Sequence, residues 1–202
     1  MGNKFATDFY RVCAEHTFAE LKKVDDNNNV DVFIFSSEEN EIDKIKNWIG
    51  NDFTYYWQSG TNLGERMFNA FQKVFDDSYD NVVIIGSDAP EINSDLIIKS
   101  FNKLNNYEAV IGPSDDGGYY LLGLKKAEIK LFENIKWSTD SVFNSTIAIF
   151  EKQNLKYYLM KELTDIDTKS DLYNWMNSID KKENNVFKQL VKQKIVSNDF
   201  LP

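Results

Sequence analysis

The sequence is poor in the residues that fasten a chain by chemistry. Cys13 is the only cysteine in 202 residues, which excludes an intrachain disulfide and any cysteine-based zinc site. His16 is the only histidine, so HExxH and other histidine-rich metal patterns are excluded too. The three prolines, Pro90, Pro113 and Pro202, leave no room for a proline-rich linker. No apolar run approaches the roughly 18 residues that a spanning helix needs. Met1 to Tyr10 is polar and charged, unlike a signal peptide. The expectation is a soluble, cytoplasmic protein without a membrane span. Positive charge is also scarce: 23 Lys and Arg stand against 32 Asp and Glu, a net charge of −9. A nucleic-acid partner would need a basic stripe, and none is visible. Phosphate esters remain open as ligands, held by backbone N–H groups or by a metal on carboxylates.

What is present suits a packed core. Hydrophobic residues make up 42% and aromatic residues 14% of the chain. A chain of this size can bury about 70% of its unfolded surface. One domain is expected over residues 1–180. A polar stretch at Lys181 to Asn185 sets off a C-terminal helical segment and tail, residues 181–202.

Short apolar runs predict strands at Val32–Phe35, Phe53–Trp57, Val82–Ile85, Ala109–Ile111, Tyr119–Leu122 and Tyr157–Met160. Helical stripes lie between them: Phe5 to His16, Met67 to Phe75, Ile97 to Leu104 and Val142 to Phe150. Ser36-x-x-Glu39 and Thr168-x-x-Asp171 have the spacing of capping boxes at helix starts. The alternation predicts an α/β fold with a mostly parallel sheet covered on both faces, a three-layer sandwich. Asp116-Gly117 between two apolar runs predicts a hairpin and one antiparallel pair. The chain opens with a helix, where doubly wound domains usually open with a strand leading into a ligand loop.

Four segments carry candidate chemistry. Asp88, in Gly86-Ser-Asp-Ala-Pro90, follows the strand Val82–Ile85. Ligands of open α/β sheets bind at that end of a strand, and a carboxylate there can hold Mg²⁺ or Mn²⁺ against a diphosphate. A turn cap before the helix near Ser94 is the structural alternative. Ser114-Asp-Asp-Gly-Gly-Tyr119 exceeds what a hairpin turn requires, and its glycines would let a ligand approach the backbone. Gln58-Ser-Gly-Thr-Asn-Leu-Gly-Glu-Arg66 leads into a helix N-terminus, where anions are favoured, yet it is neither a dinucleotide fingerprint nor a P-loop. Asp165-Ile-Asp167 precedes the Thr168 cap, and alternate residues of an extended segment face the same way. Trp137-x-Thr139 opens a further helix, with Trp137 expected to bury an edge. His16 reads as a packed core residue. No Gly-x-Ser-x-Gly occurs, so a serine triad is unsupported.

Taken in order, these motifs resemble the DUF2064 family of bacterial glycosyltransferase-like proteins, from about Gly2 to Leu172. The resemblance rests on Gln58-x-Gly60-x-Asn-Leu-Gly64-x-Arg66-Met, Gly86-Ser-Asp88-x-Pro90 and Gly112-Pro-x-x-Asp116-Gly-Gly-Tyr-Tyr-Leu-x-Gly123. It rests also on Trp137-x-Thr139 and Asp165-x-Asp167-Thr-x-x-Asp171-Leu. It implies a GT-A type nucleotide-diphospho-sugar transferase fold. It further implies metal ligation by Asp88 and Asp167, and nucleotide contacts from Gly60, Asn62, Gly64 and Arg66. Substrate contacts would come from Gly117, Gly118, Tyr119, Trp137 and Thr139, with Asp116 as the candidate catalytic group. The implied activity is metal-dependent transfer from a nucleotide sugar to an unknown acceptor. Nucleotidyl transfer from a nucleoside triphosphate, with release of pyrophosphate, is the alternative. Such proteins usually begin with a central strand and a basic phosphate loop, which here have no counterpart. A gap in the sheet is therefore expected, an exposed edge that invites strand exchange or a homodimer. A non-catalytic binding protein is the remaining reading.

Overall fold

The computed structural model describes residues 3–28, 30–164 and 166. The described residues form five α-helices and six strands, in the order α1 (Asn3–Asn28), β1 (Phe33–Ser36), α2 (Ile42–Ile49), β2 (Thr54–Trp57), α3 (Leu63–Asp76), β3 (Val82–Ile85), α4 (Ser94–Leu104), β4 (Ala109–Pro113), β5 (Tyr119–Leu124), α5 (Val142–Lys152) and β6 (Tyr157–Leu159). Each apolar run named above forms a strand, with ends shifted by a residue or two. The α/β class holds. The segment 181–202, Asp165, Asp167 and the Thr168 cap lie outside the described residues.

The strands form two sheets. β1 and β2 pair in parallel, Phe33 opposite Thr54 through Ser36 opposite Trp57. The other four strands take the order β3-β5-β4-β6. β5 runs against both neighbours, with Ile84 and Ile111 each opposite Leu122, while β4 and β6 are parallel. The single expected antiparallel pair is thus two pairs. The hairpin places β5 beside β4, and its free edge then takes β3 as well. The hairpin turn closes with Gly117 N–H donating to the Ser114 carbonyl at 3.1 Å.

β4 is buried along its whole length, and β5 from Tyr120 onward, because both faces are covered. On one face Leu104, Val110, Leu121 and Met160 pack together; on the other, Phe71, Ile111, Leu122 and Phe150. Helix α4 starts at Asn93, whose side chain accepts the Leu96 N–H. Glu20 of α1 adds a second acceptor for that helix, taking the Ser94 N–H at 2.9 Å and pairing with Lys23. Burial pushes the Glu20 carboxyl up, but Lys23 and the Ser94 N–H outweigh it and leave it below the usual range. Burial holds His16 below its ordinary value, against the opposing charge of Glu20 and a hydrogen bond at Ile92.

The capping box read at Ser36-x-x-Glu39 is absent. The Ser36 hydroxyl instead donates to the Glu38 carbonyl at 2.8 Å, a local turn that ends β1. A one-turn 3-10 helix, Glu39–Glu41, then leads into α2.

The expected gap is present between β1 and β3. Among the described residues β1 pairs only with β2, and β3 only with β5. The two strands nonetheless start side by side. The Tyr79 hydroxyl, just before β3, donates to Asp31, just before β1, at 2.5 Å, and the Tyr79 ring meets Phe33 edge-on. That bond, before all else, pushes the Tyr79 phenol up to about 12.

Candidate functional site

A cavity of about 1450 Å³ lies between β1 and β3 and continues past their carboxyl ends to Ser37 and Asp88. It exceeds the roughly 300–1,000 Å³ of ordinary small-molecule pockets. Its inner part is apolar. At its mouth converge the loop after β1, the turn after β3, the β4–β5 hairpin and the segment before α5.

Asp88 stands at this mouth. The residue is exposed and lines the cavity. Its Oδ1 lies 2.6 Å from where a Cβ on Gly86 would sit, so glycine at 86 is what lets the carboxylate fold back over the strand end. The cap on α4 is Asn93, so Asp88 is spare for another task. An exposed carboxylate without a capping duty fits a divalent cation such as Mg²⁺ or Mn²⁺, a hard ion that prefers oxygen ligands. Among the described residues no cluster of three or more metal-binding side chains occurs. Asp167, the second proposed ligand, lies outside them. Among the described residues that precede it in sequence, the Leu163 N–H donates to Pro113, the Asp115 N–H donates to Leu163, and Thr164 lines the cavity wall.

Asp116 is largely committed to its own turn. Its Oδ1 accepts the Ser114 hydroxyl at 2.5 Å and the Gly118 N–H at 2.8 Å. Gly117 has a φ of +87°, and a Cβ on it would overlap the Asp140 carbonyl oxygen. Its own carbonyl accepts the Phe143 N–H at 2.9 Å. The freedom of Gly117 thus seats the hairpin on the start of α5, and its place is outside the cavity lining. Gly118 and Tyr119 do line the cavity. Burial pushes the Tyr119 phenol far up, so it stays protonated and can only donate or accept as a neutral hydroxyl.

The Gly60 to Arg66 loop divides in the same way. Asn62 caps α3, its Oδ1 accepting the Glu65 N–H at 3.0 Å. Glu65 accepts the Thr61 N–H and hydroxyl at 2.7 and 2.8 Å. Those bonds hold the Glu65 carboxyl below the usual range. An anion at this helix start would meet a carboxylate already there. Gly60, with φ +139°, turns tightly against Glu65 and Arg66, and a Cβ on Gly64 would overlap the Trp137 indole. Gly60, Asn62 and Gly64 therefore shape the loop without lining the cavity, whereas Arg66 lines it. Arg66 Nε donates to the Gly60 carbonyl at 3.4 Å.

Trp137 is half-buried over Gly64 and also lines the cavity, with Thr139 next to it. The Thr139 hydroxyl donates to the Lys136 carbonyl at 2.7 Å and meets Ser141 at 2.8 Å. Sequence reasoning did not single out Asp140, Ser37 or Thr164 as cavity residues. Each is a common loop residue beside a recognisable motif, with no spacing signal of its own.

Comparison with known proteins places this arrangement. A family profile described as "Uncharacterized protein conserved in bacteria (DUF2064)" matches residues 20–139, a span that runs from α1 to the end of the Trp137–Thr139 segment. The chain belongs to the DUF2064 family. A crystal structure of a Desulfovibrio desulfuricans G20 protein, assigned as a nucleotide-diphospho-sugar transferase, is 31% identical. It superposes with a TM-score of 0.83, over 100% of this chain and 89% of that one. The 2-phospho-L-lactate guanylyltransferase of Methanocaldococcus jannaschii is 30% identical over 149 residues, 72% of this chain. The chain spans 62% of the length of that relative. The 4-diphosphocytidyl-2C-methyl-D-erythritol synthase of Anaerococcus prevotii shares the fold at 18% identity, with a TM-score of 0.56 and 80% of this chain covered. The DUF2064 chain therefore has a nucleotidyltransferase-like fold of the GT-A kind. No helix among its described residues is long and apolar enough to cross a membrane.

Proposed function

We propose that this DUF2064 protein is a nucleotidyltransferase, joining a nucleoside monophosphate to the phosphate of a small phosphorylated acid. The observation that carries the reading is the 30% identity to a guanylyltransferase over 149 residues, a stretch long enough to include the Asp88 turn and the hairpin. It favours nucleotidyl transfer over the glycosyl transfer that the motifs first suggested. In the reaction, an oxygen of the acceptor phosphate attacks the α-phosphorus of a nucleoside triphosphate, GTP by analogy. The bond from the α-phosphorus to the bridging oxygen breaks, and pyrophosphate leaves with that oxygen. No covalent enzyme intermediate is required, so the absence of a nucleophile motif is consistent.

The residues divide the work by place. Among the described residues Arg66 supplies the one cationic side chain in the cavity wall, and it suits a phosphate oxygen. Trp137 and Tyr119 offer a flat indole edge and a neutral hydroxyl for a base or acceptor. Asp88, with Asp167, would hold Mg²⁺ or Mn²⁺, and such an ion supplies positive charge to a diphosphate. Asp116 acts as a positioning residue, since both its donors belong to the hairpin that presents Gly118 and Tyr119.

Glycosyl transfer is a second reading, favoured by the Desulfovibrio relative and its match to nearly the whole chain. Product analysis separates the two. The full-length protein is incubated with Mg²⁺, GTP and a panel of 2-phospho-hydroxy acids, and in parallel with GDP- and UDP-sugars. Pyrophosphate release that requires the phospho-acid is the expected result. Nucleoside diphosphate release from a nucleotide sugar, with no pyrophosphate from any triphosphate, would overturn the proposal. Asp88→Asn should lower turnover by at least about 100-fold if its carboxylate serves the reacting phosphates. Unchanged turnover would return Asp88 to a purely local role.

A further inference from the structure

Tyr120 is tied to both segments that lead in sequence to the proposed metal ligands. Its carbonyl accepts the Gly86 N–H at 3.0 Å, two residues before Asp88. Its hydroxyl donates to the Lys161 carbonyl at 2.9 Å, two residues past the end of β6. The strand order β3-β5-β4-β6 puts β4 between Tyr120 and that carbonyl. The ring crosses β4 at Gly112, where a Cβ would overlap it. Glycine weakens a strand interior, and at 112 its small size admits the crossing side chain.

The crossing joins two segments that no ladder bond connects directly. Beyond β6 the Met160 N–H donates to Ile111 at 2.9 Å and the Leu163 N–H to Pro113 at 3.1 Å. Between those two backbone bonds, the Tyr120 hydroxyl holds the Lys161 carbonyl. Ala89 and Ile92, after Asp88, and Met160 and Leu163, after β6, pack with Tyr120 in one buried cluster. Asp88 and Thr164 line the same cavity. A second link, Lys161 Nζ to Glu91 Oε2 at 3.7 Å, is exposed on the lysine side and contributes little. Tyr120 itself is 4% exposed. Burial first, and Glu91 second, push its phenol far up, so the hydroxyl stays a donor at neutral pH. A phenylalanine would fill the same core volume; only the Lys161 carbonyl needs the hydroxyl.

We propose that Tyr120 is a positioning residue for the bound cation: its main chain holds the strand end that carries Asp88, and its hydroxyl holds the segment that leads to Asp167. One side chain then sets the spacing between the two carboxylates. The inference rests on the reading that Asp88 and Asp167 hold Mg²⁺ or Mn²⁺. Spacing matters more to some ions than to others. Mg²⁺ demands near-octahedral oxygens at about 2.1 Å, whereas Ca²⁺ accepts about 6–8 oxygens at about 2.3–2.6 Å in flexible arrangements. Loosening the spacing therefore costs Mg²⁺ more than Ca²⁺. Groups that orient metal ligands typically contribute about 10–100-fold in affinity.

The test titrates the full-length protein with Mn²⁺, read by the electron paramagnetic resonance of the free ion, with Mg²⁺ and Ca²⁺ as competitors. Tyr120→Phe should weaken Mn²⁺ and Mg²⁺ by about tenfold or more, and Ca²⁺ by less than about threefold. A merely structural hydroxyl would lower the urea midpoint and leave the relative affinities of the three ions unchanged. Gly112→Ala keeps the hydroxyl but drives a Cβ into the ring, and it should shift the same preference. It covers the case in which Tyr120→Phe fails to fold. Unchanged Mn²⁺ and Mg²⁺ affinity in Tyr120→Phe overturns the proposal, and so does an equal loss for all three ions. Asp88→Asn separates this from failure of the underlying reading. If Asp88→Asn binds Mn²⁺ as tightly as the unaltered protein, the metal reading itself falls, and the inference with it. If Asp88→Asn loses Mn²⁺ while Tyr120→Phe keeps it, Asp88 remains a ligand and only the role of Tyr120 is overturned.

Discussion

Two sheets built from similar apolar words differ in what becomes of them. Ala109-Val-Ile-Gly-Pro113 is buried throughout, whereas in β1, Phe33-Ile-Phe-Ser36, only Ser36 is buried. β2 has no buried residue, and Trp57 at its end is 51% exposed. Apolar composition brings a strand to a sheet, but burial requires a neighbour on both edges and cover on both faces. β4 has all of these. β1 lacks one edge among the described strands; the rings around it, Phe33, Phe35, Tyr56 and Tyr79, meet one another, and Phe33, Phe35 and Tyr79 also pack against the buried Phe71 cluster without being buried themselves.

The largest test of this contrast is a pair of identical truncations. Phe150→Ala in the fully buried face should cost about 3–5 kcal/mol. Phe35→Ala, half-buried beside the cavity, should cost about 1–2 kcal/mol, since only part of its transfer free energy is realised. Urea titration of both variants measures the difference, and equal losses would break the comparison. Glycines sharpen it next. Gly117→Ala places a Cβ on the Asp140 carbonyl at a φ of +87° and should cost about 2–4 kcal/mol. Gly50, after α2, has a φ of +102° but open space around it, so Gly50→Ala should cost about 1–2 kcal/mol from backbone strain alone. Calorimetric midpoints distinguish these.

A smaller effect concerns α1, the helix that spans from the cavity to α4. Glu20→Gln removes the charge that caps Ser94 and should cost about 1–2 kcal/mol at neutral pH. Glu20 and His16 both have lowered folded values, so each favours folding in its less protonated state. The His16 contribution is complete above its ordinary 6.5 and declines as pH falls toward the lowered folded value. The Glu20 contribution is complete above about 4.5 and declines at still lower pH. The thermal midpoint should therefore fall in two steps on acidification, and His16→Gln should remove the upper one. A midpoint that drops only below pH 5 would contradict the His16 step. Smallest is Thr17→Val, which removes an unpaired buried hydroxyl and should raise stability by up to about 1 kcal/mol. Loss of stability there would show that Thr17 already has a partner.

The strands and most helices were legible because each carries an unbroken apolar run or a stripe of period 3.6. The reversal of β5 on both sides was not, since a hairpin signal specifies one neighbour and is silent about the other. At the site, the position of Asp88 after β3 and in the cavity lining was legible, while its role as a metal ligand is a proposal. What surrounds Gly60, Gly64 and Gly117 was not legible, because a glycine that admits a ligand and one that admits a neighbouring indole or carbonyl look alike in sequence. The same holds for Asn62, whose oxygen caps α3. Asp140 carried no signal, being brought to the cavity only by the docking of the hairpin on α5.

That docking has a kinetic consequence. β4 and β5 are joined by five residues, Ser114 to Gly118, the shortest strand connection in the described chain. Closing so short a loop costs little entropy, while β1 finds β2 only across α2 and β6 finds β4 only across α5. The hairpin is therefore the least expensive long-lived contact a collapsing chain can make. Its turn also carries the Asp116 bonds and the Gly117 seat for α5. The corner of the molecule that presents Gly118 and Tyr119 to the cavity is thus the corner best placed to organise first, and the two-stranded sheet across the cavity the last.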